Sequence, residues 1–249
     1  MSSTDKAWEK FGKNNPYYGV CTEDKFRNSK LTAENKAEFF QSGDVYIENI
    51  INNVRRFICH DFKLINTLDF GCGVGRLAIP LSKCSETVIG VDISQSMLDE
   101  ANRNKEIQKI KNVNFFKSDD DFYNNNLTFN FIHSFIVFQH IPIKIGEQIF
   151  YKLLSKLVPK GVGVIHFTYG KKGKVNSLVK FARTYIPFTQ YFIHLWKGKY
   201  ATDPLMQMNH YDLNTIFNIL HRFKINNWHI EHIDQGGSLG IILYFKKNG

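Results

Sequence analysis

The chain has 249 residues, 43% hydrophobic and 14% aromatic, enough to bury a sizeable core, and no apolar run approaches the length of a membrane span. Its four cysteines (Cys21, Cys59, Cys72, Cys84) lack paired spacing, which argues against a zinc site and a disulfide framework. The net charge of +9, from 32 Lys and Arg against 23 Asp and Glu, admits nucleic acid, an anionic membrane surface or a phosphorylated small molecule as partner.

One large α/β domain with additions is expected at this length. The start, Met1-Ser2-Ser3-Thr4-Asp5-Lys6-Ala7-Trp8, has neither a basic opening nor an apolar stretch, so no secretion signal is expected and a reducing cytoplasm is the expected setting. Residues 1–30 show no clear period and mix turn formers with aromatics, as in Asn14-Asn15-Pro16-Tyr17-Tyr18-Gly19, which predicts a segment lying over another surface. Ser42-Gly43-Asp44 is expected to cap a helix whose apolar positions are Val45, Ile47, Ile50, Ile51, Val54 and Ile58.

The stretch Ile65–Leu77 reads as a buried strand, a glycine-rich turn (Gly71, Gly73, Gly75) and the start of a helix. Such a turn lets a ligand approach main-chain atoms, and the following helix points its positive end at the same spot. It is not a dinucleotide fingerprint, because Arg76 stands where the third glycine would be and the acid Asp69 precedes the turn. An acid there repels a pyrophosphate and suits the ammonium group of an amino acid. A second acid, Asp92, ends the strand Thr87–Val91, placed to accept ribose hydroxyls.

Asp-x-Gly-x-Gly-x-Gly with Val-Asp-Ile-Ser after it resembles a class I S-adenosylmethionine-dependent methyltransferase, over roughly residues 64–169. The resemblance implies an α/β, Rossmann-like, doubly wound sheet of seven strands, mostly parallel with one antiparallel strand. It also implies S-adenosylmethionine as cofactor, S-adenosylhomocysteine as product and no metal. The cofactor-binding set it implies is Asp69, Gly71, Cys72, Gly73, Gly75, Asp92, Ile93, Met97, Asp119 and Phe135, with Ile93 and Met97 around the adenine and Asp119 at its amino group. Asp120 and Asp121 remain alternatives to Asp119. A looser resemblance, carried by Phe11 to Val20, Lys25-Phe26 and Phe39-Phe40-Gln41-Ser42-Gly43, is to the N-terminal lid of a subgroup associated with glycan and surface-polysaccharide gene clusters. On that reading residues 1–43 are a lid and 44–249 the methyltransferase core, and Tyr17 and Tyr18 contact the acceptor.

Further along, Ser94 opens a helix, Val113–Lys117 is a short strand, and Phe129–Phe138 is a buried strand followed by Gln139-His140 at the edge where open α/β sheets bind ligands. A helix Lys144–Val158, stopped by Pro159-Lys160-Gly161, leads to a fifth strand, Gly163–Tyr169, that places His166 toward the core. An insertion of about residues 170–210 follows, with Lys171, Lys172, Lys174, Lys180, Arg183, Lys197 and Lys199 among aromatics and no acid from 171 to 199. A helix Tyr211–Arg222 and a hairpin, Ile225–Asp234 and Leu239–Lys246 around Gly236-Gly237, complete the core.

His140 is the expected general base, since an imidazole can take a hydroxyl proton at neutral pH. Arg76, Lys171, Lys172, His194 and His210 are the expected acceptor contacts alongside the two tyrosines. The strand-four exit, Val137-Phe138-Gln139-His140, has neither an Asn-Pro-Pro-Tyr type element for a nucleobase amine nor a Pro-Cys nucleophile for pyrimidine carbon, so nucleic acid is not the expected substrate. The expectation is O-methylation of a small anionic acceptor, a phosphorylated or nucleotide-linked sugar or a capsule-type headgroup. The alternatives are an RNA methyltransferase and a non-catalytic partner subunit of the same fold. Nothing in the sequence sets the oligomeric state.

Overall fold

The computed structural model describes residues 3–172, 203–204 and 206–249. Seven strands form one sheet in the order β3-β2-β1-β4-β5-β7-β6. They are β1 (Leu64–Phe70), β2 (Ser85–Asp92), β3 (Val113–Lys117), β4 (Phe129–Ser134), β5 (Leu157–Lys171), β6 (Asn227–Gln235) and β7 (Ser238–Lys246). Strands β1 to β5 pair in parallel, and β7 runs antiparallel to both β5 and β6, so one strand opposes the rest. The chain order reverses between β1 and β4, and at such a switch point the strand ends part to leave a crevice at the sheet's carboxyl edge.

Helices cover both faces. On one lie α3 (Ala33–Phe57), the short α4 (Ala78–Ser82) and α5 (Gln95–Ile107), burying Ile47, Ile50, Leu81 and Leu98 with Val88, Phe131 and Val164 of the sheet. On the other, α6 (Asp120–Asn124), α7 (Ile143–Lys156) and α8 (Leu213–Arg222) bury Phe122, Phe150, Leu154 and Ile216 against Leu68, Ile132, Ile165 and Leu243. Apolar positions three and four apart on each helix meet alternate residues of each strand, as the two periodicities require.

The first residues differ from expectation. They form α1 (Ser3–Asn14) and α2 (Pro16–Val20), with Pro16 at the first turn of α2, and they pack through Phe11, Tyr17 and Tyr18 onto Phe39, Val74 and Met97. Helix α3 begins at a Thr32 cap, whose side chain accepts from the Asn35 N–H, and runs through Ser42-Gly43-Asp44 without a break. Gly43 is not a helix start. It is buried where a Cβ would collide with the Arg76 carbonyl, so the glycine lets α3 lie against the turn after β1. Residues 43 and 44, the expected boundary between lid and core, share one helix.

Two boundaries also move. Strand β4 stops at Ser134 because Ile136 adopts φ +59, and β5 starts at Leu157, where Pro159-Lys160-Gly161 forms a register irregularity and not a loop. Lys160 bonds to the Lys247 carbonyl at 3.0 Å, which keeps that segment in the sheet. Most of the expected insertion, including His194 and the basic residues from Lys174 to Lys199, lies outside the described residues.

Candidate active site

The turn after β1 is built by main-chain bonds. The N–H groups of Gly71 and Cys72 both reach the Val91 carbonyl, at 2.8 and 3.0 Å, so the loop folds across the end of β2. Gly71, Gly73 and Gly75 stand at φ +77, +53 and +86, a region that side chains disfavour. A side chain at Gly71 would also run into Val137, which the left-handed Ile136 turns toward the loop. That conformation, unusual for a β-branched residue, costs about 1–2 kcal/mol and sits at the crevice.

Asp92 leaves β2 and returns to this loop. Its Oδ2 accepts the Gly73 N–H and its Oδ1 the Ser94 N–H, both at 2.9 Å. Burial raises the carboxyl to about 6, against the opposing pull of the backbone donors Ser94, Gly73 and Ile93. A carboxylate has about four acceptor positions, and these backbone donors leave part of that capacity for a ligand. Ile93 follows, partly buried. Cys72 is interior, and burial pushes its thiol well above the ordinary value, which leaves no nucleophile there.

Asp69, only 2% exposed, lies beside His133 of β4 in register. His133 Nδ1 donates to Asp69 Oδ1 at 2.9 Å, and its Nε2 faces the Tyr46 hydroxyl of α3 at 3.4 Å. Asp69 Oδ2 is buried with no partner among the described residues. The Phe135 ring is 4.3 Å from that of Tyr46 and 5.5 Å from that of His166. Arg76 reaches Ser42 Oγ at 3.2 Å with its guanidinium 5.9 Å from the Tyr46 ring.

At the edge of β4 and β5, His140 is enclosed. Its Nδ1 donates to the Gln207 carbonyl at 2.7 Å, so Nε2 accepts from the Gln139 amide at 3.2 Å, and Trp8 of α1 meets the ring edge-on at 5.0 Å. The Gln139 Oε1 in turn accepts from Thr168 at 2.7 Å. Burial lowers His140 to about 4. His166, core-facing as expected, is lowered to about 4 by burial and by the neighbouring His140, and neither ring nitrogen has a partner among the described residues. His210 and Lys171 are exposed, and Lys172 is exposed and pairs with Asp234 at 3.1 Å.

The N-terminal helices fasten to α5. Glu9 accepts from the Ser94 and Ser96 hydroxyls at 2.9 and 2.7 Å and from the Ser96 N–H at 3.3 Å, at the positive end of that helix. The Tyr17 hydroxyl lies 2.7 Å from Glu100 and 2.8 Å from Asn104, while Tyr18 lies under the Arg27 guanidinium at 3.6 Å. Both tyrosines pack in the cap cluster. Met97 is similarly enclosed in the cap cluster. Asp119 is exposed and caps α6 through the Phe122 N–H at 3.3 Å, just past β3, with Asp120 and Asp121 exposed beside it.

Asp69, the glycines, Asp92, Ile93 and Phe135 therefore gather at the carboxyl ends of β1, β2 and β4. His133, Tyr46 and Glu9 were missed from sequence. A histidine inside the apolar run Phe129–Phe138 was the one available signal, because a buried polar ring needs a partner. Among the described residues no group of three or more His, Cys, Asp and Glu side chains could hold a metal ion, and no helix is long and apolar enough to cross a membrane.

Residues 67–161 match the family described as methyltransferase domain. An uncharacterized RNA methyltransferase of Prochlorococcus marinus is 32% identical over 115 residues, 43% of this chain and 27% of that protein. Another, of Mycoplasma mobile, is 29% identical over 160 residues, 61% of this chain and 42% of that protein. The chain thus spans less than half the length of either relative. Among solved structures, magnesium protoporphyrin IX methyltransferase of Synechocystis with bound SAH aligns with 98% of this chain and 100% of its own at TM-score 0.64 and 17% identity. An N-methyltransferase of Haemonchus contortus in complex with phosphomonomethylethanolamine and S-adenosylhomocysteine aligns with 81% of this chain and 53% of its own at TM-score 0.58 and 15% identity. Residues 67–161 thus match a methyltransferase domain, and the sheet that contains them has the class I S-adenosylmethionine-dependent methyltransferase fold.

Proposed function

We propose that the chain binds S-adenosylmethionine at the β1–β2 crevice and methylates an oxygen of a small anionic acceptor. The observation that carries the donor half is the pairing of Asp69 Oδ2, buried without a partner among the described residues, with the glycine turn and Asp92 alongside. The free oxygen suits an ammonium group, the glycine amides admit the backbone of a ligand, and the remaining acceptor capacity of Asp92 suits ribose hydroxyls. When bound, the cofactor supplies a methyl group on a sulfonium. The chain contributes orientation and a dry crevice, and positioning provides most of the acceleration for such a displacement.

The acceptor half rests on charge and on the looser lid resemblance. Seven Lys and Arg without an acid between 171 and 199 suit a phosphorylated or nucleotide-linked sugar or a headgroup of the kind used in surface-polysaccharide assembly. A phosphate-bearing acceptor in the Haemonchus contortus neighbour fits the same chemistry. His140 is proposed to take the proton of a hydroxyl acceptor, its Nε2 changing partner from Gln139 to the substrate.

RNA is the second reading, favoured by the names of the sequence relatives and by the net charge of +9. Methylation of a pyrimidine carbon is disfavoured within it, because that chemistry needs a thiolate at the strand-four exit and the chain has Val137-Phe138-Gln139-His140 there. A non-catalytic subunit is disfavoured by the intact Asp69, Gly71, Gly73 and Asp92. Transfer of tritiated methyl from S-adenosylmethionine to a panel of sugar phosphates and nucleotide sugars, run beside total RNA, separates the readings. Label in the sugars that falls when Lys171, Lys172 and Lys174 are neutralised together supports the proposal, and label in RNA alone refutes it.

A further inference from the structure

Asp69 stands buried at the carboxyl end of β1 with half of its carboxylate held. Oδ1 takes the His133 N–H at 2.9 Å, while Oδ2 meets no described residue. His133 is itself fully buried, and the far side of its ring faces Tyr46, whose hydroxyl is held in its protonated form by burial and is thus a donor to the imidazole. The chain of bonds runs Tyr46 O–H to His133 Nε2, then His133 Nδ1–H to Asp69, across α3, β4 and β1. Burying Asp69 and His133 in one line, with Tyr46 partly buried at its far end, is costly unless each is satisfied, and one acceptor on Asp69 is left open.

We propose that His133, braced by Tyr46, is a positioning residue for the methyl donor, holding Asp69 Oδ1 so that Oδ2 faces the donor's ammonium group. This rests on the donor site proposed above and adds the residues that aim it. His133 does not touch the ligand. It fixes the torsion of the Asp69 carboxylate, which would otherwise rotate to share its charge between several directions. Tyr46 also rests on Phe135, so α3 is tied to the amino-acid end of the site through a ring contact as well as the hydrogen bond.

Calorimetry with two ligands tests this. S-adenosylhomocysteine carries the amino-acid end, and 5′-methylthioadenosine keeps the nucleoside and sulfur without it. His133→Ala should weaken S-adenosylhomocysteine by about tenfold or more, the scale of one charge-assisted bond, and leave methylthioadenosine within about twofold. His133→Asn, whose amide nitrogen falls near the place of Nδ1, should restore most of the loss. Tyr46→Phe should give a smaller loss, again confined to the larger ligand, and these two variants serve if His133→Ala does not fold. Equal losses for both ligands, or none for S-adenosylhomocysteine, overturn the proposal. A wild-type chain that binds neither nucleoside overturns the donor site itself.

Discussion

Replacing Asp92 with asparagine should remove a pH dependence of stability that the wild-type chain carries. Burial holds this carboxyl at about 6 in the folded chain, against its ordinary value of 3.8. A raised folded pKa means the folded state holds the proton more tightly, so the associated stability is fully present below 3.8 and is lost as pH rises through about 6. Integrated between pH 5 and pH 8, the loss is about 1.4 kcal/mol, an upper figure because solvent still reaches part of the side chain. On a chain of this size that is a difference of about 3–5 °C in melting temperature. The asparagine loses one backbone acceptor at Gly73 or Ser94, a cost that does not vary with pH, so the comparison uses the change with pH and not the absolute value. Thermal melts of both proteins at pH 5 and pH 8 measure it. S-adenosylhomocysteine should bind more tightly to wild type at pH 7 than at pH 5, because hydroxyls bond better to the charged carboxylate, and the variant should show neither trend. A stability difference between the two proteins that is the same at both pH values would refute the reasoning.

Glu9→Ala should cost about 1–2 kcal/mol and speed hydrogen exchange in α1 while leaving β1 to β5 protected, since Glu9 fastens α1 to Ser94 and Ser96. Unchanged α1 exchange would show that this contact does not hold the cap. Gly43→Ala should destabilise by about 1–3 kcal/mol in a urea melt despite the better helix propensity of alanine, because of the Arg76 carbonyl, and a stabilised variant would contradict that close approach. His140→Ala should cut turnover by about a hundredfold or more with S-adenosylhomocysteine affinity preserved, and the acid limb of the wild-type rate profile should lie near 4 and not near 6.5. An unaffected rate would mean that the acceptor oxygen needs no base.

The glycine turn was legible because its geometry leaves a mark in composition: three positions at positive φ within five residues demand glycine, and the acids at 69 and 92 bracket the turn. The parallel, doubly covered sheet followed from the alternation of apolar runs with helical segments, and the closing hairpin from Gly236-Gly237, both at positive φ. Helix α1 was not legible, because it is held by Phe11 packing on the core and by Glu9 meeting serines more than eighty residues away. The start of α3 was misjudged for a related reason. Gly43 reads as a breaker from local propensity, and only the neighbouring Arg76 turn explains it as a contact. The His133–Asp69 pair joins residues 64 apart in sequence, a relation that periodicity and spacing do not encode.

A crystal structure with S-adenosylhomocysteine would show directly whether Asp69 and Asp92 hold the two ends of one nucleoside. The ligand's ammonium nitrogen should lie within hydrogen-bond reach, about 3.2 Å, of Asp69 Oδ2, and its ribose hydroxyls on Asp92 above the Gly71–Gly75 turn. A nucleoside bound elsewhere, or one whose amino-acid end points away from Asp69 toward solvent, would contradict it.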